Sequence, residues 1–220
     1  VDTTSRKGMH EKHLRRFASG KADILLGTQM IAKGLDFPNV TLVGVLAADT
    51  MLHLPDFRAA ERTFQLLTQV SGRAGRHELT GEVIVQSYTP EHYSIELASG
   101  HDYKTFYERE MRERQSHRYP PYYFLTLVTI SDPDLMKVAG VAEKIAAFLN
   151  KNLSEQAIIL GPVAASIPRI KDRYRYQCMV KYKHEPGLYD TLARINEHYG
   201  KRDKQKDLQI SIDMNPQMLM

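Results

Sequence analysis

The sequence is poor in cysteine, and Cys178 is the single one among 220 residues. One thiol cannot form an internal disulfide or supply a multi-cysteine metal site, so we expect no metal site in this chain and a reducing, cytoplasmic setting. Long apolar runs are also missing, and the opening residues VDTTSRKGMH contain no apolar core of a secretion signal. We therefore expect no membrane partner. Because the chain opens on Val1, we expect a piece of a longer protein.

A strong charge of either sign is absent as well, since 30 Lys and Arg stand against 26 Asp and Glu, for a formal net charge of +4. This mild basic excess permits a nucleic-acid partner without requiring one. The chain shows no internal repeat and no low-complexity tract. Its length is sufficient for one large or two small domains with a buried core.

The first part of the sequence predicts an α/β domain over residues 1–90. Near-continuous apolar strands alternate with helices there, which is typical of a parallel sheet covered on both faces. The expected elements are a helix at 9–18, a buried strand at 24–26, a strand at 40–46, a helix at 58–71 and a strand at 81–88. Three strands make a thin sheet, so we expect this domain to be incomplete.

Residues 91–118 are polar and helical in pattern and predict a linker, which ends where the prolines of RYPPYY interrupt the helix. The remaining residues, 119–220, predict a smaller α+β domain. Its expected elements are strand 122–130, helix 135–149, strand 157–160, strand 174–182, helix 188–198 and strand 208–214, with GPVAASIPRIKD as a connection. That β-α-β-β-α-β order indicates a ferredoxin-like, split βαβ fold.

The helix predicted at 58–71 leads into QLLTQVSGRAGRHEL at 65–79 and has two distinct faces. At about 100° per residue, Phe64 lies on one side of the helix. On the other side cluster Gln69, Arg73 and Arg76. Arginine binds phosphate through paired hydrogen bonds and stays charged at any relevant pH. The pattern therefore fits a phosphate-binding face, and taken alone it fits a solvated helix face equally.

A second polar segment, LLGTQMIAKGLDFPNV, begins in the predicted strand 24–26. Ligands of open α/β sheets bind at the carboxyl ends of strands. The groups that can meet a phosphate there belong to Gly27, Thr28, Lys33 and Gly34. Asp36 is placed to accept from a sugar hydroxyl. Taken alone, the segment is equally a polar turn with a solvated lysine.

Together the two segments resemble motifs V and VI of superfamily two helicases, in which Gln-x-x-Gly-Arg-x-Gly-Arg closes the second RecA-like lobe. More narrowly, the run from DTTSRKGMHEKHLRRF to QVSGRAGR looks like the family of bacterial replication-restart helicases, primosomal protein N′. The segments DYKTFYEREMRERQSHRYPPYYFL, LGPVAASIPRIKDRYRYQCMV and SIDMNPQMLM are similar to the carboxyl-terminal region of that family. The resemblance covers essentially the whole chain. It implies a truncated RecA-like lobe from an ATP-dependent 3′-to-5′ DNA helicase that recognises stalled or branched forks and restarts replication by primosome assembly.

The resemblance also implies roles for individual residues. ATP would bind with Mg²⁺ between two RecA-like lobes, with Arg76 against the γ-phosphate and Arg73 as a second phosphate contact. Gln69 would sense the nucleotide state, and Gly34 and Asp36 would approach the nucleotide. The residues implied to grip the DNA backbone are Gly27, Thr28, Gln29 and Lys33.

The chain departs from the family pattern because it lacks G-x-x-x-x-G-K-[ST] and an Asp-Glu pair at the end of an apolar strand. The first lobe, with the phosphate loop and the Mg²⁺ ligands, is therefore missing, and we expect this chain not to hydrolyse ATP by itself. The resemblance places the family's Zn²⁺-binding cysteines upstream. It implies as partners branched and single-stranded DNA, the acidic tail of single-strand DNA-binding protein, and primosome and helicase-loading proteins.

Basic and aromatic residues are interleaved in IPRIKDRYRYQCMVKYK, within the predicted second domain. The candidate DNA contacts are Arg169, Lys171, Arg173 and Arg175. On a strand, Tyr174 and Tyr176 share one face and the flanking arginines the other, which suits phosphate contacts and base stacking at a fork or single strand. The alternative is a solvated edge whose tyrosines belong to the core.

Two functional alternatives stay open. An RNA helicase lobe joined to an RNA-recognition domain has the same element order, although the K/R-G-F/Y signature is absent. The other alternative is a non-catalytic DNA- or protein-binding module with vestigial motifs. Within DFRAAER, Arg58 and Arg62 are placed either to contact DNA or nucleotide or to form a surface ion pair with Glu61.

Overall fold

A computed structural model describes residues 8–28, 37–72, 74, 80–200 and 207–219. They form two compact units, each with its own buried core. Within the described ranges, unit one contains residues 8–53 and 60–106, and unit two contains residues 54–59 and 107–219. The short segment 54–59 therefore belongs to unit two, although unit one flanks it in the sequence.

Unit one is mixed α/β with two parallel strands. Its elements are α1 (Met9–Ala18), β1 (Leu42–Val45), a 3-10 turn (Ala48–Met51), α2 (Ala59–Ser71), β2 (Glu82–Val85), α3 (Tyr93–Ser99) and the start of α4 (Tyr103–Ser116). Leu42 pairs with Glu82 and Val45 with Val85 along β1 and β2. Parallel neighbours need a crossover connection, and α2 lies within that connection.

The core of unit one is built from α2, α3 and α4. Phe64 and Leu67 of α2 are buried with Ile95 and Ala98 of α3. The ring of Phe106 in α4 stacks on Phe64, with the centroids 4.1 Å apart. Full burial of a large apolar side chain contributes about 1.5–3 kcal/mol, so this cluster fixes which face of α2 is turned inward.

The predicted buried strand at 24–26 is wrong, whereas the other elements predicted for this region are present with ends shifted by a few residues. Residues 21–28 contain no strand, and Ile24 and Leu26 are 85% and 83% exposed. An apolar triplet becomes a strand only when a neighbour completes its hydrogen-bond ladder. Among the described strands, β1 pairs with β2 alone, so no ladder is available to this segment.

Unit two contains a four-stranded antiparallel sheet with two helices on one face. After the rest of α4 come β3 (Phe124–Asp132), α5 (Leu135–Asn152), β4 (Ile158–Ile170), β5 (Arg173–Tyr182), α6 (Leu188–Gly200) and β6 (Gln209–Met214). The strand order is β4-β5-β3-β6, and each neighbouring pair is antiparallel. The structure thus has the predicted element types in the predicted order.

The core of unit two lies between this sheet and its two helices. Side chains alternate along each strand, so every second residue faces α5 and α6. Val128 of β3 and Val180 of β5 are fully buried there with Ile145 and Leu149 of α5. Helix α5 begins after Asp134, whose carboxylate accepts hydrogen bonds from two backbone N–H groups of the first turn.

The connection predicted at GPVAASIPRIKD is wrong, because residues 161–170 belong to β4. Pro162 and Pro168 look like strand breakers in the sequence. However, β4 is an edge strand of the described sheet, and an edge position tolerates a missing N–H group. Two register shifts in the β4–β5 pairing, after Leu160 and after Ala164, accommodate the interruptions.

Backbone conformation explains why the β4–β5 hairpin gave no turn signal. Lys171 and Asp172 form the two-residue turn with φ of 50° and 59°, values that glycine or asparagine more often adopt. At the register shift, Gly161 has φ 96°, and a Cβ there would lie 2.6 Å from the carbonyl oxygen of Gln177. Glycine is therefore required at position 161.

Candidate functional site

Helix α2 presents the face that the sequence predicted for ligand contact. Phe64 and Leu67 are buried in the core of unit one, whereas Gln65 and Gln69 are exposed on the other side. The Gln65 amide donates to the Glu61 carboxylate at 3.1 Å. The predicted two-faced helix is thus confirmed for its described residues, and the Gln69 amide lies in solvent near the carboxyl end of α2.

Most predicted nucleotide and DNA contacts of the first domain lie outside the described residues. These are Gln29, Lys33, Gly34, Asp36, Arg73 and Arg76. Gly27 and Thr28 are described, and both are exposed in irregular chain. The strand that was expected to deliver them to a sheet edge is not formed. The DNA and nucleotide roles of all these residues stay predictions.

The sequence analysis missed one buried acid in unit one. Asp49 follows β1, is 2% exposed, and accepts a hydrogen bond at Oδ2 from the backbone N–H of Tyr88 at 3.3 Å. The Nε2 atom of His53 lies 3.7 Å from the same oxygen. An acid that closely follows an apolar strand, as in VGVLAAD, is a signal for such a residue, because ligands of parallel sheets bind at the carboxyl ends of strands.

Two of the predicted DNA contacts lie near the tip of the β4–β5 hairpin. Lys171 is exposed in the turn. Arg169 pairs with Asp172 at 3.1 Å between Nη2 and Oδ1, and its guanidinium lies 5.1 Å from the ring centroid of Tyr174. An exposed pair of this kind contributes about 0–1 kcal/mol, so Arg169 can exchange the carboxylate for a phosphate at little cost.

The other two predicted DNA contacts bind backbone carbonyls. Arg173 donates through Nη2 to the carbonyl of Ser131 at 3.0 Å and also to the carbonyl of Asp207. Arg175 donates through Nη1 to the carbonyl of Ile167 at 3.4 Å. Arg173 therefore holds β5 to β3 and to the residues that precede β6. Arg175 makes one long hydrogen bond, which another acceptor can replace more easily.

The tyrosines of the same strand belong to the core. Tyr174 and Tyr176 pack against the buried cluster under α5 and α6. The register places Arg175 opposite Ser131, on the other face of the sheet. The predicted alternative is therefore confirmed in that these rings pack against the core, but it is wrong about the edge, because β5 is an inner strand of the sheet.

A cluster in unit two that the sequence analysis missed joins segment 54–59 to the sheet. The ring of Phe57 stacks on that of Tyr119, with centroids 4.8 Å apart and planes 7° from parallel. The Arg58 guanidinium lies 4.2 Å from the Phe57 centroid, and Lys181 Nζ lies 3.5 Å from the Tyr119 centroid. We call these four residues the cation–aromatic cluster, because each ring has a cation against it.

Arg58 also binds the carboxyl-terminal segment of the chain. Its Nη1 atom donates to the carbonyls of Pro216 at 2.9 Å and Gln217 at 3.2 Å. That segment is itself attached to β3, since the backbone N–H of Asn215 donates to the carbonyl of Leu125 at 2.7 Å. The structure thus engages Arg58 within unit two, and its contact with DNA or nucleotide stays a prediction.

Burial shifts two pKa values in the cation–aromatic cluster. Burial lowers the pKa of Lys181, and the charge of Arg118 lowers it further. Lys181 Nζ also donates to the carbonyl of His117 at 3.1 Å. Burial raises the pKa of Tyr119, and the carboxylate of Asp56 adds to that shift. The phenol of Tyr119 is therefore held neutral, as a ring against a cation should be.

Metal sites and membrane spans are not found in the described ranges. No group of three or more His, Cys, Asp or Glu side chains is arranged there to hold a metal ion. No helix in the same ranges combines the length and apolarity that crossing a membrane requires. Cys178 is buried, and burial raises the pKa of its thiol to about 11, so it is a poor nucleophile.

Two family models match separate parts of the sequence. The helicase conserved C-terminal domain matches residues 1–78. The primosomal protein N C-terminal domain matches residues 115–217. The first match includes α2 and the QVSGRAGR motif, and the second includes all four strands of the antiparallel sheet.

Curated relatives align with nearly the whole chain. The replication restart protein PriA of Bacillus subtilis (strain 168) is 66% identical over 220 residues, which are 100% of this chain and 27% of the relative. PriA of Synechocystis sp. is 46% identical over 89% of this chain and 24% of the relative. PriA of Haemophilus influenzae is 34% identical over 99% of this chain and 30% of the relative.

The chain therefore spans about a quarter of the length of the curated relatives it matches. The matches confirm the resemblance drawn from motifs V and VI and from the later segments. The chain belongs to the replication restart protein PriA family, of whose members it represents a carboxyl-terminal part.

Proposed function

We propose that the full protein is an ATP-dependent 3′-to-5′ DNA helicase that recognises stalled or branched forks and restarts replication by primosome assembly. This chain supplies part of the second motor lobe and the carboxyl-terminal domain. The observation that carries the proposal is the orientation of α2, with Phe64 buried and Gln69 exposed immediately before the GRAGR motif. A side chain that contacts nucleotide must face solvent, as Gln69 does on α2.

The nucleotide roles follow the family pattern. Bound ATP with Mg²⁺ supplies the free energy of phosphoryl transfer. Arg76 and Arg73 place guanidinium groups against phosphate oxygens, where a fixed positive charge stabilises developing negative charge. Gln69, with its amide in solvent, reports the nucleotide state through the same helix. Gly34 and Asp36 contact the nucleotide.

The isolated chain is proposed to be inactive as an ATPase. It contains no G-x-x-x-x-G-K-[ST] sequence, so the phosphate-cradling loop and the Mg²⁺ ligands come from the first lobe of the full protein. The Zn²⁺ site is likewise assigned to the upstream part. We place the full protein in the bacterial cytoplasm, at replication forks, with primosome and helicase-loading proteins and the tail of single-strand DNA-binding protein as partners.

The carboxyl-terminal domain is proposed to be a ferredoxin-like, split βαβ domain at 119–220, preceded by the helical segment 91–118 and the helicase lobe at 1–90. The first part of that helical segment, up to Phe106, packs in the core of unit one and so extends the lobe beyond residue 90. The strand order β4-β5-β3-β6 with both helices on one face supports this fold, because a β-α-β-β-α-β chain produces that order. The helix-free face carries Arg173 and Arg175, and the hairpin tip carries Lys171. We propose this polar face and tip as the surface that meets branched or single-stranded DNA.

The proposal is tested by fluorescence anisotropy of the chain with labelled forked DNA, duplex, single-stranded DNA and matched RNA at two salt concentrations. The informative variant is Lys171→Ala with Arg175→Ala, which leaves the structural hydrogen bonds of Arg173 intact. Lys151→Ala, an exposed lysine at the end of α5, is the matched control. Removal of two phosphate contacts lowers affinity in a salt-dependent way, whereas the control leaves it unchanged.

The outcomes separate the candidate functions. Tighter binding to the fork than to the duplex, with loss in the double variant, supports the replication-restart function. Equal or tighter binding to RNA overturns it in favour of an RNA helicase with an RNA-binding domain. Hydrolysis of ATP by the isolated chain contradicts the assignment of the phosphate loop to a missing lobe.

A further inference from the structure

We propose that the tip of the β4–β5 hairpin is an apolar wedge that inserts between bases at the junction of a DNA fork. This inference rests on the proposed function, in which the same face of unit two meets branched DNA, and it adds a strand-separating part to that surface. The tip comprises residues 166–172, and every one of them is exposed. Two isoleucines are among them, Ile167 at 48% exposure and Ile170 at 40%.

The two isoleucines do not contribute to the core of unit two. Neither belongs to the cluster that the described residues form between the sheet and its two helices. Strand β3 pairs with β5 only as far as Tyr174, so the hairpin turn lies beyond the end of β3. Pro168 is exposed between the isoleucines and extends the apolar tip. Neighbouring apolar side chains exposed on a projecting tip and surrounded by polar groups are typical of a contact surface.

Contacts within the hairpin fix the shape of the tip. Lys171 and Asp172 make the turn at φ of 50° and 59°, in the left-handed region that residues with a Cβ adopt at a cost. The Arg169 guanidinium closes the turn by pairing with the Asp172 carboxylate at 3.1 Å, and it lies 5.1 Å from the ring centroid of Tyr174. A two-residue turn held in this way is narrow and keeps Ile170 in one place, as a wedge requires.

The charge around the tip favours a nucleic acid as its occupant. Residues 166–175 contain four cationic side chains and one carboxylate, and that carboxylate, Asp172, is paired with Arg169. Ile170 is the register partner of Arg173, so it lies on the helix-free face that also carries Arg175. The isoleucine is therefore next to the basic side chains that are proposed to contact phosphate.

An apolar tip flanked by cations suits a junction better than a uniform duplex. Isoleucine or proline can insert between neighbouring bases and separate their stacked faces, while the flanking cations hold the phosphates. The last base pair at a fork is the easiest to open, because the duplex stacks on only one side of it. We therefore expect Ile167 and Ile170 to act at that base pair, and Lys171 and Arg175 to bind the backbone beside it.

The test measures base unstacking separately from binding. Forked DNA carries the fluorescent base 2-aminopurine either in the base pair at the junction or deep in the duplex, and it is titrated with the chain to saturation. Binding is followed through the anisotropy of an end label on the same DNA. Because stacking quenches 2-aminopurine, its fluorescence is expected to rise about threefold at the junction and to change little in the duplex.

Two double variants and one control separate the wedge from the phosphate contacts. Ile167→Ser with Ile170→Ser is expected to abolish the fluorescence rise while the fork Kd changes less than about threefold, because the phosphate contacts remain. Lys171→Ala with Arg175→Ala is expected to weaken the fork Kd about tenfold and to keep the rise at saturating protein. Val163→Ser, at a 58% exposed position of β4 away from the tip, is the matched control and should change neither measurement.

The isoleucine variant should keep the wild-type thermal transition, because both side chains are exposed. A fluorescence rise that persists in this variant, or that is as large in the duplex as at the junction, overturns the wedge. A wild-type chain that binds the fork without any rise also overturns it and leaves the isoleucines to a protein partner. A wild-type chain that does not bind the fork overturns the proposed function and the wedge with it, so the two failures are distinguishable.

Discussion

Phe57 and Tyr119 lie ring on ring, 4.8 Å apart and 7° from parallel, although one precedes the motif helix and the other precedes the first strand of the antiparallel sheet. Neither ring is in a regular element, so the pair rather than a hydrogen-bond ladder joins these segments. The stack brings Arg58 within reach of the carboxyl-terminal carbonyls.

Phe57→Ala is expected to lower the free energy of unfolding of unit two by about 2 kcal/mol, since it removes a partly buried ring and its aromatic partner contact. Urea denaturation followed by circular dichroism measures the loss. Tyr189→Ala, whose ring is 71% exposed on α6, is the matched control and should change stability little. Equal losses in the two variants would contradict a specific role for the stack.

Replacement by alanine is expected to change the stability of the protein in opposite directions at two glycine positions. Gly161→Ala places a Cβ against the Gln177 carbonyl at positive φ and should cost about 2 kcal/mol or more. Gly140→Ala lies inside α5, where a Cβ meets no atom within 4 Å, and should stabilise by about 0.5–1 kcal/mol. Thermal unfolding of both variants measures the difference, and a neutral Gly161→Ala would mean that β4 can shift away from β5.

Acid is expected to weaken unit two through Asp132. Burial alone would raise the pKa of this carboxyl, but the hydrogen bonds from Lys137 Nζ at 2.6 Å and from the Asp134 N–H, with the charges of Lys137 and Arg173, lower it overall. A pKa that is lower in the folded state contributes stability above the unfolded value, near 3.8, and this contribution is lost as the pH falls through the folded value.

The measurement is the unfolding free energy between pH 7 and pH 3. Asp132→Asn should be less stable at pH 7 and should depend less on pH, because the titrating carboxylate is gone. Asp190→Asn, an exposed acid in the first turn of α6, serves as the control. A pH dependence in Asp132→Asn as steep as that of the wild type would show that other carboxylates dominate.

Cys178 is expected to be unreactive in the folded protein. Its side chain is fully buried, and burial raises the pKa of the thiol to about 11, so the thiolate that reacts is scarce at pH 8. A chromogenic disulfide reagent should titrate no thiol in native buffer and one thiol in denaturant. Rapid labelling of the native protein would mean that the core around β5 opens readily.

Much of the secondary structure could be predicted because the signals are local. The apolar stripe of α2 and the alternating strands of unit two depend on spacings of a few residues, and both are present as expected. The failures involve partners that a local pattern does not contain. The apolar triplet at 24–26 is not a strand, because no described strand forms hydrogen bonds with it. The prolines of β4 argued against a strand in the sequence, and they are tolerated because β4 lies at the edge of the described sheet.

The candidate site was predicted in the same uneven way. Motif spacing identified the exposed face of Gln69, and family membership follows from the same residues. Motif spacing did not predict that Arg173 donates to a backbone carbonyl of its own sheet, or that Tyr174 and Tyr176 pack against the core. Those outcomes depend on which face of β5 the two helices cover.

The sequence by itself determined the helix and strand periodicities, the motif residues and the family, because each of these depends on residues that are only a few positions apart in the chain. Only the tertiary structure decided that Arg58 hydrogen-bonds to the carboxyl-terminal segment of the chain. The physical reason is that its acceptors, the carbonyls of Pro216 and Gln217, lie at the far end of the chain and carry no side-chain signal. Contacts of that kind depend on the tertiary packing of unit two, and no sequence pattern near Arg58 predicts them.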